Sequence, residues 1–181
     1  MSDVELDYQP FFCEENIWRL NRHPILVNSP REVVFIASAA GATPLFGMRA
    51  SPNVNEPIFW DYHVILLEHG TPHKRVWDLD SVHVTPLDAL QWFQHSMPDC
   101  RQLPEPYHPM FRLIDGEAYE ADFSTDRSHM LDASGNYLHP PPPWHAPYRP
   151  DVGMVLDRYR SLDEASLGRL LGLEDFFRHI S

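Results

Sequence analysis

The sequence is 181 residues long, 43% hydrophobic and 12% aromatic, which suits one globular domain over 1–181 with a buried core and excludes a disordered chain. Its 26 acidic and 14 basic residues give a formal charge of −12, so phosphate backbones and anionic lipid are repelled and neither nucleic acid nor a membrane surface is an expected partner. The longest apolar run, Val33 to Ala42, contains serine and glycine and falls short of the roughly 18 residues that a bilayer span needs.

At the start, Asp3, Glu5 and Asp7 stand where a secretion signal would carry basic and then apolar residues. A reducing setting, the cytoplasm or the cytoplasm and nucleus together, is expected, with Cys13 and Cys100 as free thiols. After Pro10, the stretch FFCEENIWRLNRH places Cys13, Ile17 and Leu20 at helical spacing, with Glu14 and Glu15 in the first turn and Arg19 and Arg22 towards the end. Cys13 therefore opens a helix. There the free N–H groups and the dipole lower a thiol's pKa, while the adjacent glutamates raise it, so a reactive Cys13 needs an imidazolium partner. Without one, it is a small buried hydrophobe.

From Arg31 a buried strand, VVFIA, leads to a glycine-containing turn, and Thr43 to Ala50 is a candidate partner strand. The run from Ile58 to Ser81 reads as a hairpin, with strands over Phe59 to Leu67 and Arg75 to Leu79 about a turn at Gly70 and Pro72. A turn centred near Gly70 and Thr71 sets His63 opposite Asp78, within a residue or two of register. A carboxylate so placed orients an imidazole, fixes its tautomer and makes it more basic, which is two thirds of a nucleophile, base and orienter set. The same pair also occurs as a purely structural ion pair.

PLDALQWFQHSM reads as a second helix with Pro86 in its first position, Leu103 to Pro109 as a linker, and Phe111 to Ile114 as a strand. Tyr119 to Met130 is polar, with Asp126, Arg127, Ser128 and His129 together, and reads as a solvated loop or cap. PPPPWHAPYRP is an extended strap over the fold. Ser161 to Glu164 has a capping-box pattern that predicts a helix over Leu167, Leu170 and Leu171, with Gly172 before a last helix, LEDFFRHI. His69 and His73 are four apart but in the hairpin turn, and no CxxC or HExxH accompanies them, so neither a metal nor a cofactor is expected.

Taken together, CEEN at Cys13 to Asn16, WDYHVILL at Trp60 to Leu67, DLD at Asp78 to Asp80, DRSHM at Asp126 to Met130 and the prolines at Pro140 to Pro143 resemble the protein N-terminal glutamine amidohydrolase family, in the family's order. The resemblance implies a Cys13, His63, Asp78 triad on an α/β (α+β) fold: an α-β-α sandwich with a mainly antiparallel central sheet, similar to papain and transglutaminase. It implies a monomer that converts an N-terminal glutamine on a protein or peptide to glutamate, releasing ammonia, in a degradation pathway that reads N-terminal residues. Recognition of a free α-ammonium calls for acceptors near the thiol, and Glu14, Asp61 and Asp126 are the candidates. The chain departs from the family in a shorter segment after DRSHM, and in Phe12 and Phe46 where tyrosine and tryptophan are common, which bears on the cleft's rim. A related protease, transglutaminase or internal-glutamine deamidase would use the same triad; a non-catalytic peptide-binding module would use none of it.

Overall fold

The computed structural model describes residues 5–181. In chain order it runs α1 (Cys13–Asn21), β1 (Arg31–Ala37), β2 (Thr43–Leu45), β3 (Ile58–Trp60), β4 (Tyr62–Glu68), β5 (Arg75–Trp77) and β6 (Leu87–Asp88). Then come α2 (Ala89–Ser96), β7 (Met110–Asp115), α3 (Gly116–Asp122), α4 (Leu156–Arg160), β8 (Arg169–Leu171) and α5 (Leu173–Ile180). The main sheet has the order β6-β5-β4-β1-β7-β8 with every pairing antiparallel. Strands β2 and β3 form a separate pair.

β1 and β4 are apolar on both faces because both faces are covered. Val33, Phe35, Val64 and Leu66 pack against Ile17 and Leu20 of α1, Tyr119 of α3, and Leu156 and Tyr159 of α4. Val34, Ile36, Ile65 and Leu67 pack against Trp92 and Phe93 of α2 and Phe176 and Ile180 of α5. The result is an α+β fold in which helices sandwich an antiparallel sheet. Among the described residues no helix is long and apolar enough to cross a membrane. The acidic start of the sequence lies in part outside the described residues, since Asp3 precedes them.

Several expectations are corrected. The strand expected over Phe59 to Leu67 breaks at Asp61, and its first part joins β2; the Thr43 segment therefore pairs with β3, not with β1. α2 starts at Ala89: Asp88 caps it by accepting the Leu90 and Gln91 N–H groups, and Pro86 lies ahead of it beside the short strand β6. The helix expected over Leu167 to Leu171 is instead the edge strand β8. The buried Arg112 guanidinium of β7 binds the carbonyls of Ser161, Asp163 and Leu167, holding that segment open, and Leu170 then pairs with Arg112. The polar stretch after Tyr119 is not a solvated loop either, since Phe123, Ser124, Thr125 and Arg127 are buried.

Candidate active site

Cys13 is the first residue of α1, where the N–H groups have no carbonyl of a preceding turn to bond. Phe11, in the left-handed region at φ 69°, turns the chain into the helix. The thiol is nearly buried yet lines a cleft of about 230 Å3, walled by Phe11, Trp60 and His139 and with Asp61 and Arg160 at its rim. Phe11 stacks on His139, with ring centroids 3.7 Å apart.

His63, fully buried on β4, lies beneath the indole of Trp60, with ring centroids 5.6 Å apart. Its Nε2 is 3.0 Å from Asp78 Oδ1. Asp78 follows the end of β5; Leu66 faces Trp77, two residues from the register expected for the hairpin, and the bend after Trp77 still brings Asp78 to His63. Asp78 is held by three donors: His63, the Asp80 N–H at 3.2 Å on Oδ1, and the Trp92 indole N–H at 2.9 Å on Oδ2. With Nε2 committed to the carboxylate, the neutral ring carries its lone pair on Nδ1, which is buried and has no hydrogen-bond partner. The backbone N–H of Val64, the residue after His63, acts on the Cys13 thiol and lowers its pKa, which puts the thiol at the stretch of β4 that carries His63.

Burial alone would depress the His63 pKa, but the Asp78 carboxylate outweighs it and raises the value above 6.5. Burial alone would raise Asp78, yet His63 and Trp92 hold it below 3.8. Burial, then the Glu14 and Asp80 charges, push the Cys13 thiol well above 9.0 in the substrate-free protein, against the Val64 N–H. The helix start alone does not lower this thiol, and the adjacent Glu14 acts on it in the expected, raising direction.

Glu14 has no exposed surface. Its Oε1 lies 3.2 Å from His129 Nε2, its Oε2 accepts the Tyr62 hydroxyl at 3.1 Å, and the Cys13 sulfur is 3.7 Å from Oε2. Asp61 is two-thirds exposed on the cleft rim, 3.7 Å from Arg160. Asp126 is exposed and spends its carboxylate on the Ser128 N–H at 2.9 Å, a local turn contact; it does not itself line the cleft, though its charge reaches His129, which does. Sequence reasoning gave no role to Trp92, Asp80 or His129; the DLD and DRSHM stretches held two of them, while Trp92 read only as apolar helix content.

His69 is not paired with His73 but with Glu32 and His179: both imidazole Nε2 atoms meet Glu32 Oε2, at 2.8 and 2.7 Å. Arg169 lies 3.4 Å from both Glu32 Oε1 and His179 Nδ1, so the ring nitrogen that should donate to a carboxylate behind a metal faces a guanidinium instead. The second group of potential ligands, His63, Asp78 and Asp80, is the arrangement described above.

A cysteine at a helix start and a buried strand histidine held by a carboxylate are groups that can serve as nucleophile, base and orienter in an α+β hydrolase. The chain belongs to the N-terminal glutamine amidase family, whose model matches residues 8–180. It is 33% identical to the human protein N-terminal glutamine amidohydrolase, over 93% of this chain and 85% of that protein. The proteins of the same name from Danio rerio and Caenorhabditis elegans are 32% and 35% identical, over 95% and 80% of this chain and 88% and 79% of theirs.

Proposed function

We propose that this protein removes the side-chain amide of an N-terminal glutamine on proteins and peptides, using Cys13 as nucleophile, His63 as acid and base, and Asp78 as its holder. The observation that carries the chemistry is the fully buried His63 ring, pinned through Nε2 by Asp78 and without a hydrogen-bond partner at Nδ1. The family assignment and the relatives' names supply the substrate.

His63 takes the thiol proton, and the sulfur attacks the carboxamide carbon. The tetrahedral oxyanion is met by N–H groups at the start of α1, and His63 returns the proton to the departing ammonia, leaving a thioester. Water, deprotonated by His63, then attacks the thioester, and the thiol leaves with a proton to give glutamate. Asp78 holds the ring and balances the imidazolium in both halves. Burial and the Glu14 charge favour the protonated thiol in the substrate-free protein, so His63 takes the proton as the sulfur attacks.

Ammonia release with mass analysis tests this, on a peptide beginning with glutamine beside peptides with N-terminal asparagine, internal glutamine or an acetylated N-terminus. Conversion of the first peptide alone, lost in Cys13→Ala, His63→Ala and Asp78→Asn by about a thousandfold or more and non-additively, is expected. Peptide fragments or amine cross-links would assign a different thiol reaction, and full activity in Cys13→Ala would sink the scheme.

A further inference from the structure

His129 is the cleft residue that this scheme leaves unused. Its ring lines the same cleft as Cys13, and the side chain is 15% exposed. Nε2 faces Glu14 Oε1 at 3.2 Å, while Nδ1 is buried without a hydrogen-bond partner. A carboxylate only accepts, so Nε2 carries the hydrogen, and in the neutral form of the ring the lone pair sits at Nδ1. A buried acceptor left bare costs free energy that a donor from a ligand would recover.

An N-terminal glutamine brings two nitrogen donors into this cleft. The carboxamide nitrogen must face His63, which protonates it as it leaves, so it is not free to meet His129. That leaves the α-ammonium. Glu14 has no exposed surface and is ringed by His129, Tyr62 and the Cys13 sulfur, so it does not open onto the cleft. It can instead act through the imidazole, fixing the tautomer and adding negative charge behind the ring. Asp61 is largely solvated and paired with Arg160, and Asp126 is committed to Ser128.

We infer that His129 Nδ1 accepts a hydrogen bond from the substrate's α-ammonium, with Glu14 as its positioning residue, and so makes the enzyme specific for a chain terminus; this rests on the amidohydrolase reading above. The test compares a glutamine-initiated peptide with its des-amino counterpart, in which hydrogen replaces the α-amine, on the wild type, His129→Ala and His129→Asn. Wild type is expected to favour the amine strongly. His129→Ala should lower kcat/KM on the amine peptide by roughly tenfold to a hundredfold and leave the des-amino peptide unchanged, collapsing the preference. His129→Asn, whose amide oxygen can stand where Nδ1 stood, should restore part of it.

An alanine variant that lowers both substrates by one factor, or neither, overturns the inference. A wild type that releases no ammonia from the amine peptide overturns the amidohydrolase reading itself, which separates the two failures. Should His129→Ala not fold, the His129 Nδ1 nitrogen resonance in Cys13→Ala protein decides: it should respond to the amine peptide and not to the des-amino one. An equal response to both overturns the inference.

Discussion

At the scale of single residues, the charge that orients His129 is also a burden on the thiol. Burial and then Glu14 raise the Cys13 pKa, so Glu14→Gln should move the pH midpoint for alkylation by iodoacetamide downward, while turnover falls because His129 loses its holder. Opposite signs in the two assays are the signature, and an unmoved alkylation midpoint would remove Glu14 as a cause. The His63 and Asp78 pair gives a second prediction. His63 binds its proton more tightly when folded, so its contribution to stability is whole below pH 6.5 and is lost as pH rises through the higher folded value. Asp78, held below 3.8, contributes above that pH and loses its contribution only in acid. Wild-type Tm should therefore decline between pH 6 and 8 on this account. In Asp78→Asn burial is opposed by the Asp80 charge alone, so the decline over the same interval should flatten or reverse; parallel melting curves for the two proteins would count against the pair.

At the scale of elements, three segments far apart in sequence meet at Glu15. Its carboxylate takes a bidentate guanidinium from Arg127, with both contacts at 2.7 Å, and the Trp144 indole at 2.9 Å; Arg127 also donates to the Trp144 carbonyl. This ties α1 to the DRSHM segment and to the proline strap, and so fixes two sides of the cleft. Arg127→Ala leaves Glu15 buried without its charge partner and should cost about 3–5 kcal/mol by urea unfolding, with Glu15→Leu in the same chain recovering part of it. Gly168, at φ +71°, tests the C-terminal correction: a Cβ there would sit 2.4 Å from the Leu113 carbonyl oxygen. Gly168→Ala should cost more than Gly41→Ala, which has a similar φ of +63° and open space, the backbone alone accounting for about 1–3 kcal/mol in each. Equal losses would mean that the contact relaxes freely. These elements also mark what the sequence can carry. α1, β1, β4 and α5 were legible because their apolar spacing matches how they are buried, and the strap because proline permits little else. The capping-box pattern at Ser161 misled because a distant residue, Arg112, claims the carbonyls that a helix would have used. Cys13, His63 and Asp78 were legible as motif residues, whereas Trp92 and the Glu15 cluster depend on contacts that no local spacing records.

At the scale of the molecule, the formal charge of −12 bears on a reaction whose proposed substrate presents a cation. On the rim of the cleft Arg160 offsets Asp61, and the Glu14 charge lies buried behind His129. The attraction felt by an approaching ammonium therefore comes from the surface as a whole, over distances comparable with the Debye length of about 10 Å at 0.1 M salt. Short-range recognition inside the cleft is screened far less. Raising salt from about 0.02 to 0.3 M should thus lower kcat/KM for a glutamine-initiated peptide by on the order of threefold while leaving kcat at saturation unchanged. The des-amino peptide, having no terminal charge to steer, should show a flat dependence. If both peptides fell together, salt would be acting on the enzyme and not on the encounter. If neither fell, the net charge would have no part in capture, and selection of the terminus would lie wholly within the cleft.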